Sequence, residues 1–135
     1  MASIFSRIIA GEFPCYKVAE NDYCVAFLDI NPVQRGHTLV VPKQEVDYIY
    51  DLPDDILTEL TLFSKKIAHA IKTVVPCNRI GVTVIGLEVP HAHIHLIPIN
   101  SLSDMDFSKE RVAMTQEEYV ALAHHISEEV ETQNR

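Results

Sequence analysis

Apolar residues recur along this chain in two rhythms, and the rhythms divide it into elements. From about Pro53, Ile56, Leu57, Leu60, Phe63, Ile67, Ala68 and Ile71 fall at spacings of three and four, while Lys65, Lys66 and Lys72 fall mainly on the opposite side. One apolar stripe with a charged back predicts a long amphipathic helix. Thr115-Gln116-Glu117-Glu118 matches a capping box, in which the threonine hydroxyl and the glutamate carboxylate satisfy the first free amides of a helix. It predicts a C-terminal helix over about 115–131 carrying Tyr119, Val120, Leu122, Ala123 and Ile126, fraying into a polar tail. Near the other end, Ser3 is placed to cap a short helix bearing Ile4, Phe5, Ile8 and Ile9 that Gly11 stops.

The remaining apolar runs are short and bounded by turn residues. Tyr16 to Ala19 and Tyr23 to Leu28 read as two strands around Glu20-Asn21-Asp22. A polar loop opens at Asp29-Ile30-Asn31-Pro32 and ends at Gly36, and His37 to Val41 reads as the next strand, stopped by Pro42. Arg79 to Ile85 is a further strand, Gly86 permits a bend, and Pro90 leads into a strand containing His91, His93 and His95. Hairpins dominate, so the expected fold class is α+β: an antiparallel sheet with the long helix packed on it. The length of 135 residues and the absence of any linker, repeat or low-complexity tract fit a single domain over 1–135. A domain of that size gains stability from dimerisation.

Composition narrows the function classes. A formal net charge of -8 and no basic stripe argue against a general nucleic-acid or anionic-membrane surface. Cys15, Cys24 and Cys77 are odd in number and widely spaced, which reads as reduced, mostly buried thiols, with Cys24 a core residue. The first residues lack a secretory pattern and no apolar run approaches a membrane span, so the expected location is the cytoplasm. Phosphate-binding glycine fingerprints and a GxSxG elbow are absent. The acid pairs Asp54/Asp55 and Glu117/Glu118 sit at helix starts, where they serve the first turn.

The chemistry concentrates in His91-Ala92-His93-Ile94-His95-Leu96-Ile97, which holds three of the seven histidines. In a strand this spacing puts three imidazoles on one face and Ala92, Ile94 and Leu96 on the other. At ~3.3 Å per residue the outer two Cα atoms lie about 13 Å apart, too far for all three to ligate one ion without a strong bend. Neighbours could share a metal; the row also suits an extended substrate, or one central reactive histidine assisted by its neighbours. His37, following a glycine at the start of a strand, is placed to join that face. His69, His124 and His125 lie on helices, where surface or core-edge positions are expected.

This run resembles the signature of the histidine triad (HIT) superfamily, His-x-His-x-His followed by apolar residues. A second block agrees: Ala26-Phe27-Leu28-Asp29-Ile30-Asn31-Pro32, then His37-Thr38-Leu39-Val40-Val41-Pro42-Lys43. With the opening Ile4 to Ile9 and Gly11-Glu12-Phe13-Pro14, the resemblance runs from about residue 3 to Pro98. It implies a HIT-like fold, a two-fold homodimer, and a hydrolase acting at the α-phosphorus of a nucleoside phosphoramidate, adenylate conjugate or dinucleoside polyphosphate, with a purine nucleotide favoured. A nucleotide-binding regulatory protein with little catalysis, or a nucleotidyltransferase, is the alternative. By position His93 resembles the nucleophile, His95 the residue facing phosphate and leaving group, and His91 and His37 the supporting imidazoles. Asp29 resembles the ribose-binding residue, with Phe27, Leu28 and Ile30 around base and sugar.

Two departures stand out. Many members carry Gly-Gln ahead of the triad, whereas here the pair is Gly86-Leu87, and Ile80-Gly81-Val82 replaces an Asn-x-Gly. Losing one charge-assisted donor to the phosphate costs ~1.5–3 kcal/mol of binding, enough to slow a reaction without abolishing it. Some members also hold a structural zinc on a CxxC pair, a histidine and the first triad histidine. The matching positions here are Ser3, Ser6, Glu45 and His91. No metal and no cofactor are expected, because a neutral hydroxyl replaces a thiolate poorly.

Overall fold

The structure is a computed structural model and describes residues 2–134. A short helix, α1 (Ile4–Ile9), precedes a hairpin of β1 (Lys17–Glu20) and β2 (Cys24–Leu28), followed by β3 (Thr38–Pro42) and the long helix α2 (Asp54–Val74). Strands β4 (Arg79–Thr83) and β5 (Ile94–Ile99) follow, and α3 (Gln116–Gln133) ends the order. The five strands form one sheet in the order β1-β2-β3-β5-β4, every neighbouring pair antiparallel.

The helix signals work as local chemistry requires. Ser3 Oγ accepts the Ser6 amide at 3.0 Å, and Thr115 and Glu118 close their capping box at 3.1 and 3.2 Å. In α2, Leu60, Phe63, Ile67 and Ile71 are buried while Lys65, Lys66 and Lys72 are exposed. Strands β2 and β3 are buried along their whole length, as continuous apolar runs covered on both faces must be. Cys24, Ala26, Leu28, Val40, Ile94 and Leu96 pack beneath α2 and α3; Val25, Phe27, Leu39 and Val41 pack with Phe5 of α1 on the opposite face. Cys24 is thus core, and burial pushes its thiol up to about 11.

The expected histidine strand needs correction. β5 begins at Ile94, so only His95 of the three triad histidines lies in a strand, and His91 and His93 precede it as extended chain. The reason is pairing: β3 runs on to Pro42 against β2, but its pairing with β5 ends at Val40–Ile94, and the Ala92 amide donates instead to the Val46 carbonyl at 2.7 Å. The alternation of faces survives, because Ala92, Ile94 and Leu96 all enter the helix-side core. The strand expected over Arg79 to Ile85 stops at Thr83, His37 lies one residue before β3, and Cys15 and Cys77 are half-buried rather than buried. In α3, Val120 faces outward, 55% exposed, and Val130 completes the buried stripe instead.

Gly36 sets the approach of the polar loop to β3. Its φ is +94°, and a Cβ there would meet Pro98 Cγ at 3.0 Å and Val75 Cγ2 at 3.1 Å. Gly36→Ala is expected to cost at least about 1–2 kcal/mol from the left-handed backbone alone, read as a lower urea midpoint with an unchanged slope.

Candidate active site

A cavity of about 590 Å³ opens on the face of the sheet that carries α1. Eight of the ten residues singled out above line it: Phe27, Leu28, Asp29, Ile30, Gly86, Leu87, His93 and His95. Leu28 does so while its side chain stays in the helix-side core, 2% exposed. His37 and His91 do not line the cavity; each is buried behind one of the triad histidines that do.

Backbone partners decide which nitrogen of each imidazole carries the proton. His37 Nδ1 accepts the Val33 amide at 3.1 Å, so in the neutral ring the proton sits on Nε2, which donates to His95 Nδ1 at 2.9 Å. His95 then carries its own proton on Nε2. On the other side, His91 Nε2 donates to the Pro42 carbonyl at 2.8 Å, and its Nδ1 accepts the Ser3 hydroxyl at 2.7 Å. His93 Nδ1 donates to the His91 carbonyl at 2.7 Å, leaving a lone pair on Nε2. Among the described residues every fully buried side-chain polar atom has a partner, and His93 Nε2 has none, so it reaches the open surface of the cavity. The site therefore presents a bare imidazole nitrogen at His93 beside an N–H at His95, with ring centroids 4.9 Å apart.

Burial dominates the electrostatics. It lowers His37 to about 3, aided by the charges of Arg111 and His93, and lowers His95 to about 3, aided by His37 and His93. Burial also lowers His91, against the opposing effects of its bond to the Pro42 carbonyl and the Glu45 charge.

Ser3, Ser6, Glu45 and His91 do converge, but as a hydrogen-bonded cluster. Glu45 Oε1 accepts both the Ser6 hydroxyl and the Ser3 amide at 2.6 Å, while the Ser3 hydroxyl engages His91. The lone pair with which His91 would bind zinc is thus occupied, and two neutral hydroxyls stand where thiolates are needed. This donor set does not fit that metal. Elsewhere among the described residues, Asp29, His37 and His95 bring ligand atoms within 4.8 Å of one another; two of those atoms share the His37–His95 proton.

Sequence reasoning missed several wall residues. Ile4, Ile8 and Phe13 line the cavity, so α1 is part of the site rather than only a packing element. Phe107 and Arg111 line it as well, from the segment between β5 and α3. The Phe107 ring meets the His95 and His37 imidazoles edge-on at 5.1 and 5.8 Å. No local signal marks these two, since the stretch around them reads as a polar connector. His69, His124 and His125 are exposed on their helices, away from the cavity.

The family model described as the HIT domain matches residues 10–102. The chain belongs to the HIT family. It is 40% identical over 99 residues to the adenosine 5'-monophosphoramidase HNT1 of Saccharomyces cerevisiae, a match covering 72% of this chain and 62% of that enzyme, so under two thirds of its length. The corresponding Schizosaccharomyces pombe enzyme, adenosine 5'-monophosphoramidase hnt1, is 32% identical over 135 residues, covering 96% of this chain and 99% of its own. Among solved structures, a hypothetical histidine triad nucleotide-binding protein from Sulfolobus tokodaii superposes with a TM-score of 0.83 at 30% identity, covering 98% of this chain and 94% of that one. The HIT fold, with its five-stranded antiparallel sheet and flanking helices, is therefore that of this chain.

The buried imidazoles give this HIT protein a defined acid response. His37 and His95 have pKa values lowered to about 3 from 6.5, so between those values the unfolded chain binds more protons than the folded one. Their contribution to stability is complete above about pH 6.5 and is lost as the pH falls towards 3. Urea midpoints measured from pH 7.5 to pH 4 should decline with acid. His37→Gln should start lower at pH 7.5 and decline less steeply, and an unchanged slope would contradict the assignment.

Proposed function

We propose that the chain is a nucleotide hydrolase that cleaves at the α-phosphorus of a nucleoside phosphoramidate through a nucleotidyl-His93 intermediate. The observation that carries this reading is the pairing of a lone pair on His93 Nε2 with an N–H on His95 Nε2 at the wall of one cavity. Two relatives named as adenosine 5'-monophosphoramidases support the reaction class. Adenylate conjugates and dinucleoside polyphosphates present the same phosphorus. The positions of the side chains in and behind the cavity support the roles that follow.

His93 Nε2 attacks phosphorus, and the P–N bond to the leaving amine breaks with its electron pair going to nitrogen, which takes a proton from solvent. Because Nδ1–H stays on the His91 carbonyl, the attacking ring is oriented and its developing positive charge is stabilised. His95 Nε2–H donates to a non-bridging phosphate oxygen, and His37 holds His95 in that tautomer. His91 positions His93 through its carbonyl. Water then attacks the adduct, the P–Nε2 bond breaks back onto His93, and the proton returns to solvent. No step draws on a metal or cofactor. Phe27 and Ile30 offer apolar surface to base and sugar, a purine in the favoured reading, and Asp29 offers a carboxylate to the ribose hydroxyls. Leu87 is 88% exposed at the rim and brings no donor, which favours slow turnover and keeps a binding-only role as the second reading.

The proposal extends to assembly and location. Strand β4 is one of the two edges of the sheet, β1 being the other, and carries Val82, 62% exposed, while α2 exposes Leu62, 53%. Edge strands with apolar side chains invite pairing, and a two-fold dimer joining sheets and long helices would cover them. No helix among the described residues is long and apolar enough to cross a membrane, and free thiols suit the cytoplasm.

Protein mixed with adenosine phosphoramidate and quenched without acid should yield, by mass spectrometry, a peptide carrying a mononucleotide on His93. A folded His93→Ala chain should lose at least about a thousandfold in turnover, or ~4 kcal/mol in activation free energy. Near-parent turnover by that variant would remove His93 from the nucleophile role, and AMP binding without turnover of any phosphoramidate by the parent would favour the binder. Sedimentation equilibrium at micromolar protein should return about twice the 15.2 kDa chain mass; a persistent monomer would defeat the dimer.

A further inference from the structure

The segment 106–115, which lies beyond the residues matched by the HIT domain, is stapled to the polar loop beside the cavity. Lys109 Nζ donates to Gln34 Oε1 at 2.7 Å, and the Val112 amide donates to the Pro32 carbonyl at 2.9 Å. Arg111 Nη1 and Nη2 donate to the carbonyls of Asn31 at 3.1 Å and of Phe107 at 2.9 Å. The guanidinium lies 5.4 Å from the centroid of the Phe107 ring, whose other neighbours are His95 and His37.

We propose that Arg111 is an anion subsite of this cavity and takes the charge of the α-phosphate when a nucleoside 5'-phosphate is bound. The inference rests on the nucleotide reading above. Among the described residues Arg111 is the only Lys or Arg that lines the cavity, where the acidic side chains are Asp29 and Glu88. His37 and His95 are held neutral by burial, so neither brings a standing charge to a phosphate. A phosphate placed there without a cation would lose its hydration uncompensated, and the Leu87 side chain brings no donor to offset that. Arg111 forms no ion pair among the described residues, and its two carbonyl bonds leave further N–H donors for phosphate oxygens. Those bonds also hold the fork in place before a ligand arrives, so less side-chain entropy is lost on binding.

Calorimetric titration of the parent, Arg111→Gln and Arg111→Lys with AMP and with adenosine tests the subsite. Adenosine carries base and ribose but no phosphate, so it separates charge recognition from the shape of the wall. Arg111→Gln should weaken AMP by about tenfold or more, leave adenosine within about twofold, and Arg111→Lys should fall between. Equal weakening of both ligands would make Arg111 a wall support only, and no change in AMP would also overturn the proposal. A parent that binds AMP no better than adenosine overturns the subsite while sparing the nucleotide reading. A parent that binds neither overturns both.

Discussion

A neutral imidazole taken out of water must find a partner for each nitrogen, and the rest of this site depends on where those partners are. The main chain supplies most of them: the Val33 amide for His37, the Pro42 carbonyl for His91, and the His91 carbonyl for His93. Each choice removes one tautomer, and the choices propagate. Because His37 must accept at Nδ1, it donates to His95, and His95 can then only offer an N–H outward. Because His93 donates backwards, it can only offer a lone pair. A nitrogen with a free lone pair and a hydrogen-bond donor thus stand side by side at the cavity wall.

The same constraint ties the chain's opening to its centre. Ser3 caps α1 and also bonds His91, and Glu45 gathers Ser3 and Ser6 from across the sheet. Glu45 is held near 2 chiefly by the Ser6 hydroxyl and the Ser3 amide, so it stays a carboxylate wherever the protein is folded near neutrality. Hydrogen bonds here connect the four positions at which some members of the family use a metal. Phe5, packed edge-on against both His91 and His93 at 5.8 and 4.9 Å, fills the apolar side of that junction.

The sheet separates stability from chemistry. Its helix side is an apolar core under α2 and α3, and its other side carries α1 and the cavity. Residue alternation lets one strand serve both: Cys24, Ala26 and Leu28 face the helices while Val25 and Phe27 face α1. The C-terminal helix reaches back to the site as well. Tyr119 stacks on Tyr16 at 4.7 Å and donates to the Asp29 carbonyl at 3.1 Å, which holds the end of the loop where Asp29 leaves β2.

The sequence by itself determined the helices, the alternating faces and part of the cavity's lining, because caps, apolar periodicity and the His-x-His-x-His spacing are local features. Thr115 and Glu118 cap whatever follows them, and Ala92, Ile94 and Leu96 enter the core whether or not the chain before Ile94 is paired. Local pattern could not say where β5 starts, since that depends on where its pairing with β3 ends and on the Val46 carbonyl capturing the Ala92 amide. Nor could spacing alone distinguish His93 and His95, which line the cavity, from His91, which does not; it was the family resemblance that set His91 and His37 apart as supporting imidazoles. Only the tertiary structure decided which nitrogen of each is free, and only it brought Phe107 and Arg111 to the wall. Burial and hydrogen-bond partners are properties of what the chain folds against, and residues tens of positions apart supply them.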